Sequence, residues 1–270
     1  MTRAVFNVAT GPYVRGQKRL AEALKKFGGF GEHFISWADQ LPPNSPPHTA
    51  RSRNEKHPHV SGSYVPPDIW YEANPYAFKA YALQSAYTHR ARPTTLLWCD
   101  ASIVPIAPLE PLWERIERDG YWFSDNGWSN AQWTADSAYP ALFPACFMPG
   151  CSECWDEARA ANAKIKHVVA TAFGISLDHD KGRDFLAQYI RMADAGAFKG
   201  PWWNSNRMEN VGKAGAAPCG PPTTLGHRHD QTAASVIAWR LEMKLTAPPD
   251  VFAYRGGEKE NTILVADGGY

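Results

Sequence analysis

Residues 94–108, TTLLWCDASIVPIAP, constrain the chain more than any other stretch. Thr95, Leu96, Leu97, Trp98 and Cys99 form a dry run with no polar alternation, the pattern of a strand covered on both faces. The run stops abruptly on Asp100, Ala101 and Ser102. In an open α/β sheet, a carboxylate that closes a buried strand faces the crevice where ligands bind. The same residue could also serve as a plain turn cap.

The flanking sequence supplies the rest of an α/β pattern. Ala4 to Ala9 reads as a strand, broken by Thr10-Gly11-Pro12-Tyr13. From Val14 to Phe27, Leu20, Ala23, Leu24 and Phe27 recur at helical spacing, and Gly28-Gly29 stops the helix. Glu32 to Trp37 is a second strand. Such a strand–helix–strand unit requires parallel strands joined by a crossover. Asn74 to Tyr87 is a helix with Asn74 as its cap and Pro75 in its first turn. Leu109 to Asp119 is another, stopped by Gly120, followed by a short strand, Tyr121 to Phe123, and a polar loop, Ser124 to Asn130. Thr134–Phe143, Cys154–Ile165, Asp184–Ala195 and Thr232–Leu245 read as helices, and Val168–Phe173 as a strand or continued helix. Val251–Tyr254 and Thr262–Val265 suggest a terminal hairpin. The expected fold class is therefore α/β, a Rossmann-type, mostly parallel twisted sheet with helices on both faces.

Composition narrows the function. A chain of 270 residues suits one large domain, and 28 Lys plus Arg against 27 Asp plus Glu create no global field toward nucleic acid or membrane. A local basic groove remains compatible with that balance. Aromatic residues reach 13%, including 11 Trp, enough to furnish stacking platforms for sugars or bases beside the core. No apolar run approaches the length of a membrane span, and the N-terminus lacks a signal-peptide pattern, so a soluble, cytoplasmic protein is expected. Five cysteines in no regular framework suit reduced thiols. Cys146, Cys151 and Cys154 are spaced either as ordinary loop cysteines or as a partial zinc set that His167 or Cys219 would complete.

Several clusters are candidates for chemistry. The turn after the first strand could hold a nucleotide: Gly11 permits close backbone approach, Tyr13 offers a ring, and the following helix N-terminus attracts phosphate. It matches neither a Walker loop nor a dinucleotide fingerprint. Lys79 projects from the helix ahead of the central strand, either into solvent or toward a phosphate. Asp125, Asn126 and Trp128 combine polar groups with an aromatic face, as a sugar site does. Gly226-His227-Arg228-His229-Asp230-Gln231 packs hydrogen-bonding side chains at a helix N-terminus, forming a cluster suited to an anion or a metal. The long tracts 41–67, which contains His48, His57 and His59, and 199–226 are irregular and rich in Pro and Gly.

Three stretches, VFNVATGPYVRGQKRLAEAL, NPYAFKAYALQSAY with LLWCDASIVPI, and HRHDQ before a helix, give the chain an order that resembles the GT-A type of nucleotide-sugar glycosyltransferase. The resemblance implies a single domain over 1–270, with a nucleotide-binding half at 1–108 and an acceptor-side half at 109–270. It implies that Ala9, Thr10, Tyr13 and Arg15 contact the nucleoside of a donor such as a UDP-sugar, with Lys79, Asp100 and Ser102 at its diphosphate. Asp100-Ala101-Ser102 occupies the place of the Asp-x-Asp motif, with Ser102 where a second carboxylate is expected. A Mn²⁺ or Mg²⁺ ion on Asp100 and His227 is implied, weakened by that serine. Asp230 would act on the acceptor hydroxyl, and His229 and Gln231, with Asp125, Asn126 and Trp128, would line the acceptor or sugar. The acceptor is a glycan, a protein or a hydroxylated DNA base, the last as in phage enzymes. A non-catalytic carbohydrate-binding protein of the same fold is the alternative from another class, and a nucleotidyltransferase is disfavoured by the missing Gly-rich loop.

Overall fold

The structure, a computed structural model, describes residues 2–10, 13–28, 32–39, 75–147, 154–201, 206–207, 218–247 and 250–268. The 41–67 tract with its three histidines, the Trp202-Trp203 pair, Gly11, Asn74 and Cys151 lie outside the described residues. The strands are β1 (Arg3–Thr10), β2 (Glu32–Asp39), β3 (Thr95–Cys99), β4 (Ile103–Pro105), β5 (Tyr121–Ser129), β6 (Lys166–Ser176), β7 (Phe252–Tyr254) and β8 (Leu264–Ala266). The helices are α1 (Val14–Phe27), α2 (Ala77–Gln84), α3 (Glu110–Asp119), α4 (Tyr139–Leu142), α5 (Cys154–Ala163), α6 (Asp180–Asp194) and α7 (His229–Arg240). Among them no helix is long and apolar enough to cross a membrane.

The main sheet has the order β2-β1-β3-β6-β5. β1 pairs in parallel with β2 along its whole length, from Arg3 opposite Glu32 to Thr10 opposite Asp39, and in parallel with β3 on its other edge. The βαβ unit read from the first forty residues is thus present. β6 runs antiparallel to both β3 and β5, so β1, β2, β3 and β5 share one direction and β6 alone opposes them in this sheet. All five residues of β3 are buried, as its unbroken apolar run requires. Phe6, Leu96 and Trp98 point into a core shared with α2, α6 and α7, while Val5, Leu97 and Cys99 meet α1, α3 and the small sheet β4-β8-β7 on the opposite face. This is the expected α/β class with helices on both faces.

Several local expectations are corrected. Ser124 to Ser129 continues β5 instead of forming a loop; register shifts and Gly127 at φ 82° place the irregularity inside the strand as bulges. Thr134–Phe143 holds a short 3₁₀ turn and only the four-residue α4, because Pro140 and Pro144 cannot donate to a longer helix. β7 and β8 pair in parallel, not as a hairpin, because β8 lies between β7 and β4 and takes β4 as its antiparallel partner. α7 starts at His229 and ends at Arg240, with Glu242 at φ 50° beyond it. α2 starts at Ala77, after Tyr76 at φ 63°. Cys154 is disulfide-bonded, whereas Cys99, Cys146 and Cys219 are free thiols. That bond departs from the expected reduced set and takes one sulfur from the zinc reading.

A polar network inside the core fixes α7 against the sheet. The Asn130 amide donates to Asn162 Oδ1 at 2.8 Å and to the Thr232 carbonyl, which leaves Asn130 Oδ1 to accept from His167 Nδ1 at 2.6 Å. His167 is therefore protonated on Nδ1. His227 Nδ1 instead accepts the Ala135 N–H, and His229 Nδ1 donates to the Phe198 carbonyl at 2.9 Å. Burial drives His167 and His227 well below the usual histidine range, with nearby Arg228 and His229 respectively adding to it. Burial also lowers His229 to about 4, against its hydrogen bond to Phe198.

These histidines are neutral in the folded protein and ordinary in the unfolded chain, so unfolding takes up protons below the unfolded value. Stability should be full above about pH 6.5 and fall as the pH drops toward 4, with His229 alone accounting for about 3 kcal/mol by the lower limit. Denaturant unfolding from pH 4 to 8 measures this, and His229→Gln should flatten the slope by about one proton. A second expectation concerns Gly16 in α1. A Cβ there would lie 2.1 Å from the Ala101 carbonyl oxygen, so α1 can seat itself against the turn after β3 only without a side chain. Gly16→Ala should cost about 1–3 kcal/mol in chemical unfolding. Gly268→Ala, whose Cβ meets nothing within 4 Å, should be near neutral.

Candidate functional site

β3 delivers Asp100 at its carboxyl end, beside the end of β1. A buried polar relay sets that geometry: Gln17 in α1 donates to Asn7 Oδ1 at 2.7 Å, and Asn7 donates to the Cys99 carbonyl at 2.6 Å. The Asp100 N–H bonds to the Thr171 carbonyl of β6, and the Ile103 N–H closes the turn onto the Asp100 carbonyl. The strand tip is therefore held from three sides before any ligand arrives.

The centre of the site is Lys79. Its ammonium lies 3.0 Å from Asp100 Oδ1 and donates to Asp100 Oδ2 at 3.3 Å, lies 3.0 Å from Asp230 Oδ2, and donates to the Ala170 carbonyl of β6 at 3.0 Å, so acceptors surround all three N–H groups. Tyr76 and Trp98 present ring faces at 5.1 and 5.5 Å. Trp98 Nε1 also donates to Asp100 Oδ1 at 2.7 Å, and the Tyr189 hydroxyl donates to Asp230 Oδ2 at 3.2 Å. Side-chain exposure is 2% for Lys79, 5% for Asp230 and 24% for Asp100, so Asp100 is the member that faces outward. Asp100 and Asp230, 130 positions apart in sequence, are brought to one ammonium, and the buried Lys79 side chain fills the space between them.

The electrostatics follow from crowding two carboxylates around one ammonium. Burial works against the charged form of Lys79, but Asp100 and Asp230 outweigh it and raise its pKa. Burial raises both aspartates; Lys79 opposes this, while Asp230 adds to the rise at Asp100. The triad carries one net negative charge when both acids are ionised, and the acids titrate as a coupled pair.

Two residues in the left-handed region flank this centre. Tyr76, at φ 63°, and His229, at φ 46°, touch each other with ring centroids 5.5 Å apart. Such conformations cost about 1–3 kcal/mol each and persist where surrounding packing enforces them. Arg228 lies over Trp133 at 4.2 Å, within electrostatic reach of Tyr76 and Asp230, and Arg207 approaches the same ring at 5.7 Å. Trp128, 44% exposed, meets the edge of Trp133.

The remaining candidates are distributed around this centre. Ala9 is buried in β1, Thr10 ends that strand, Tyr13 is half-buried at the start of α1, and Arg15 is exposed in its first turn. Ser102 is half-buried and its carbonyl accepts the Asp267 N–H. Asp125 turns β5 by accepting the Gly127 N–H and pairs with Lys166 at 2.9 Å, and Asn126 accepts the Trp128 N–H. Gln231 is buried in the first turn of α7, where its carbonyl accepts from Ser235. Sequence reasoning missed Asn7, Gln17, Tyr76, Trp133 and Tyr189. Arg228 was visible inside HRHDQ but is overshadowed there by the histidines and Asp230.

The donor set does not fit a divalent cation. Asp100 and Asp230 already share the Lys79 ammonium; His227 spends Nδ1 on Ala135 and packs its ring edge-on against His229, and its buried Nε2 has no hydrogen-bond partner among the described residues. Among the described residues no group of three or more His, Cys, Asp or Glu side chains is placed to hold a metal.

No family model matches the chain, and no curated protein does. Two solved structures align with all of it. One is the apo form of the bifunctional glycosyltransferase WbbM, at 10% identity and a TM-score of 0.49. The other is a glycosyltransferase involved in glycosylation of the major capsid of PBCV-1, at 9% identity and a TM-score of 0.44. The alignments cover 46% and 94% of those chains respectively, so this chain spans about half the length of WbbM.

Proposed function

We propose that this protein transfers a sugar from a nucleotide-sugar donor, of the UDP-sugar class, to a hydroxyl acceptor bound beside Asp100. The observation that carries the reading is the meeting of Asp100 and Asp230 on Lys79 at the carboxyl end of β3, beside the end of β1. In a sheet of this kind that location is where ligands bind. A polar centre so costly to bury is the kind of arrangement that catalytic sites maintain.

Transfer breaks the bond between the anomeric carbon and the donor phosphate oxygen, and forms one to the acceptor oxygen. The acceptor proton passes to a carboxylate, and the bonding electron pair leaves with the nucleoside diphosphate. Asp100 is the carboxylate placed for the proton, because it is the exposed acid of the pair and its raised pKa makes it a stronger base than a free aspartate. Asp230, turned inward, holds Lys79 and through it the position of Asp100. Arg228 and Arg207 supply positive charge for the departing diphosphate. Tyr13 and the end of β1 take the nucleoside, with Arg15 beside them, and Trp128 offers a platform for a sugar ring.

Calorimetric titration with UDP and other nucleoside diphosphates tests the donor. Binding by at least one of them is expected, and a folded protein that binds none would remove the reading. With donor and acceptor in hand, Asp100→Asn should lower kcat by about 10²–10⁴-fold with little change in fold. Trp128→Ala should raise the KM for a sugar acceptor about tenfold and leave kcat nearly unchanged, corresponding to the loss of one stacking contact.

A further inference from the structure

We propose that Lys79 is the built-in cation of this site: its ammonium stands where a divalent ion would bridge Asp100 and Asp230, so the protein needs no such ion. Three observations converge on this. First, the ammonium meets oxygens from three sides: Asp100 just past β3, with Oδ1 at 3.0 Å and a hydrogen bond to Oδ2 at 3.3 Å, Asp230 of α7 at 3.0 Å, and the Ala170 carbonyl of β6 at 3.0 Å. These satisfy its three N–H donors, and the distances suit hydrogen bonds, not the 2.0–2.6 Å of Mg²⁺ or Ca²⁺ ligation.

Second, the walls suit an organic cation. The faces of Tyr76 and Trp98 close the cage at 5.1 and 5.5 Å, an arrangement that attracts a desolvated ammonium and offers a metal no ligands. Third, the turn after β3 carries a single carboxylate, Asp100, followed by Ala101 and Ser102, and the Lys79 ammonium already competes for it and for Asp230.

The cage also has a latent property. Removing the ammonium leaves two carboxylates and a carbonyl facing one cavity, a hard oxygen set that a divalent ion could occupy. Lys79→Met keeps most of the side-chain volume without the charge, and Lys79→Ala opens the cavity.

The experiment titrates Mn²⁺ alone into the intact protein, followed by calorimetry and by the paramagnetic relaxation of water protons, with no nucleotide present. Its result therefore does not depend on the transferase reading. The wild type should show no stoichiometric Mn²⁺ site, and its melting temperature should be the same with chelator as with Mn²⁺. Lys79→Ala should bind Mn²⁺ at least about tenfold more tightly than the wild type and regain melting temperature with it. Adding Asp100→Asn to that variant should abolish the gain. One equivalent of Mn²⁺ bound by the wild type and lost in Asp100→Asn would overturn the proposal, even if the Lys79 variants fail to fold. A folded Lys79→Ala that gains no Mn²⁺ affinity would overturn it as well.

Discussion

The ion triad of Lys79, Asp100 and Asp230 is the constraint on which the site depends. A lysine 2% exposed can remain charged only if its surroundings replace water, and the two carboxylates, a carbonyl and two aromatic faces do so. The arrangement costs desolvation of three charged groups, so its presence is weak evidence for stability and stronger evidence that geometry is being specified. It links α2, β3, β6 and α7 through one atom. Losing Lys79 would leave two buried carboxylates without compensation, an imbalance of about 3–5 kcal/mol in comparable buried pairs.

The strained backbone beside the triad has the same origin. Four non-glycine residues with described conformations lie at positive φ: Tyr76, Arg92, His229 and Glu242. Arg92 and Glu242 are exposed turn residues. Tyr76 and His229 differ, because their tilted rings touch, and they precede or begin the helices that carry Lys79 and Asp230, and so aim both charges inward. The strain is local, whereas the packing that holds it comes from both helices and from the Phe198 carbonyl on His229.

What the sequence discloses follows from how local the physics is. α1 and β3 match their sequence spans because an amphipathic repeat and an unbroken apolar run are each decided within a few residues. β5 is misread beyond Phe123 because Asp125, Asn126 and Gly127 have loop chemistry, and cross-strand pairing with β6 keeps them in the sheet as a bulge. The pairing of β7 with β8 depends on β4, some 150 residues away, and no local signal encodes it. At the site, Asp100 and Asp230 are legible as acids at element ends. The inward turn of Lys79 is not, since a helix with lysine between Phe78 and Ala80 gives no sign that two distant carboxylates will be waiting for it.

The charges around Asp100 then orient any ligand bound beside it. The triad retains a net negative charge when both acids are ionised, so it repels a diphosphate placed directly upon it. Arg228 and Arg207, over the Trp133 ring, are nearby positive groups; burial lowers the Arg228 pKa, and a guanidinium keeps its charge in proteins. On the transferase reading, a donor would therefore lie with its phosphates toward Trp133 and its anomeric carbon between that arginine pair and the exposed edge of Asp100. The acceptor hydroxyl would approach from the Asp100 side, where the carboxylate can take its proton. That division separates the group that stabilises departing negative charge from the group that accepts the proton, as displacement at a single carbon requires.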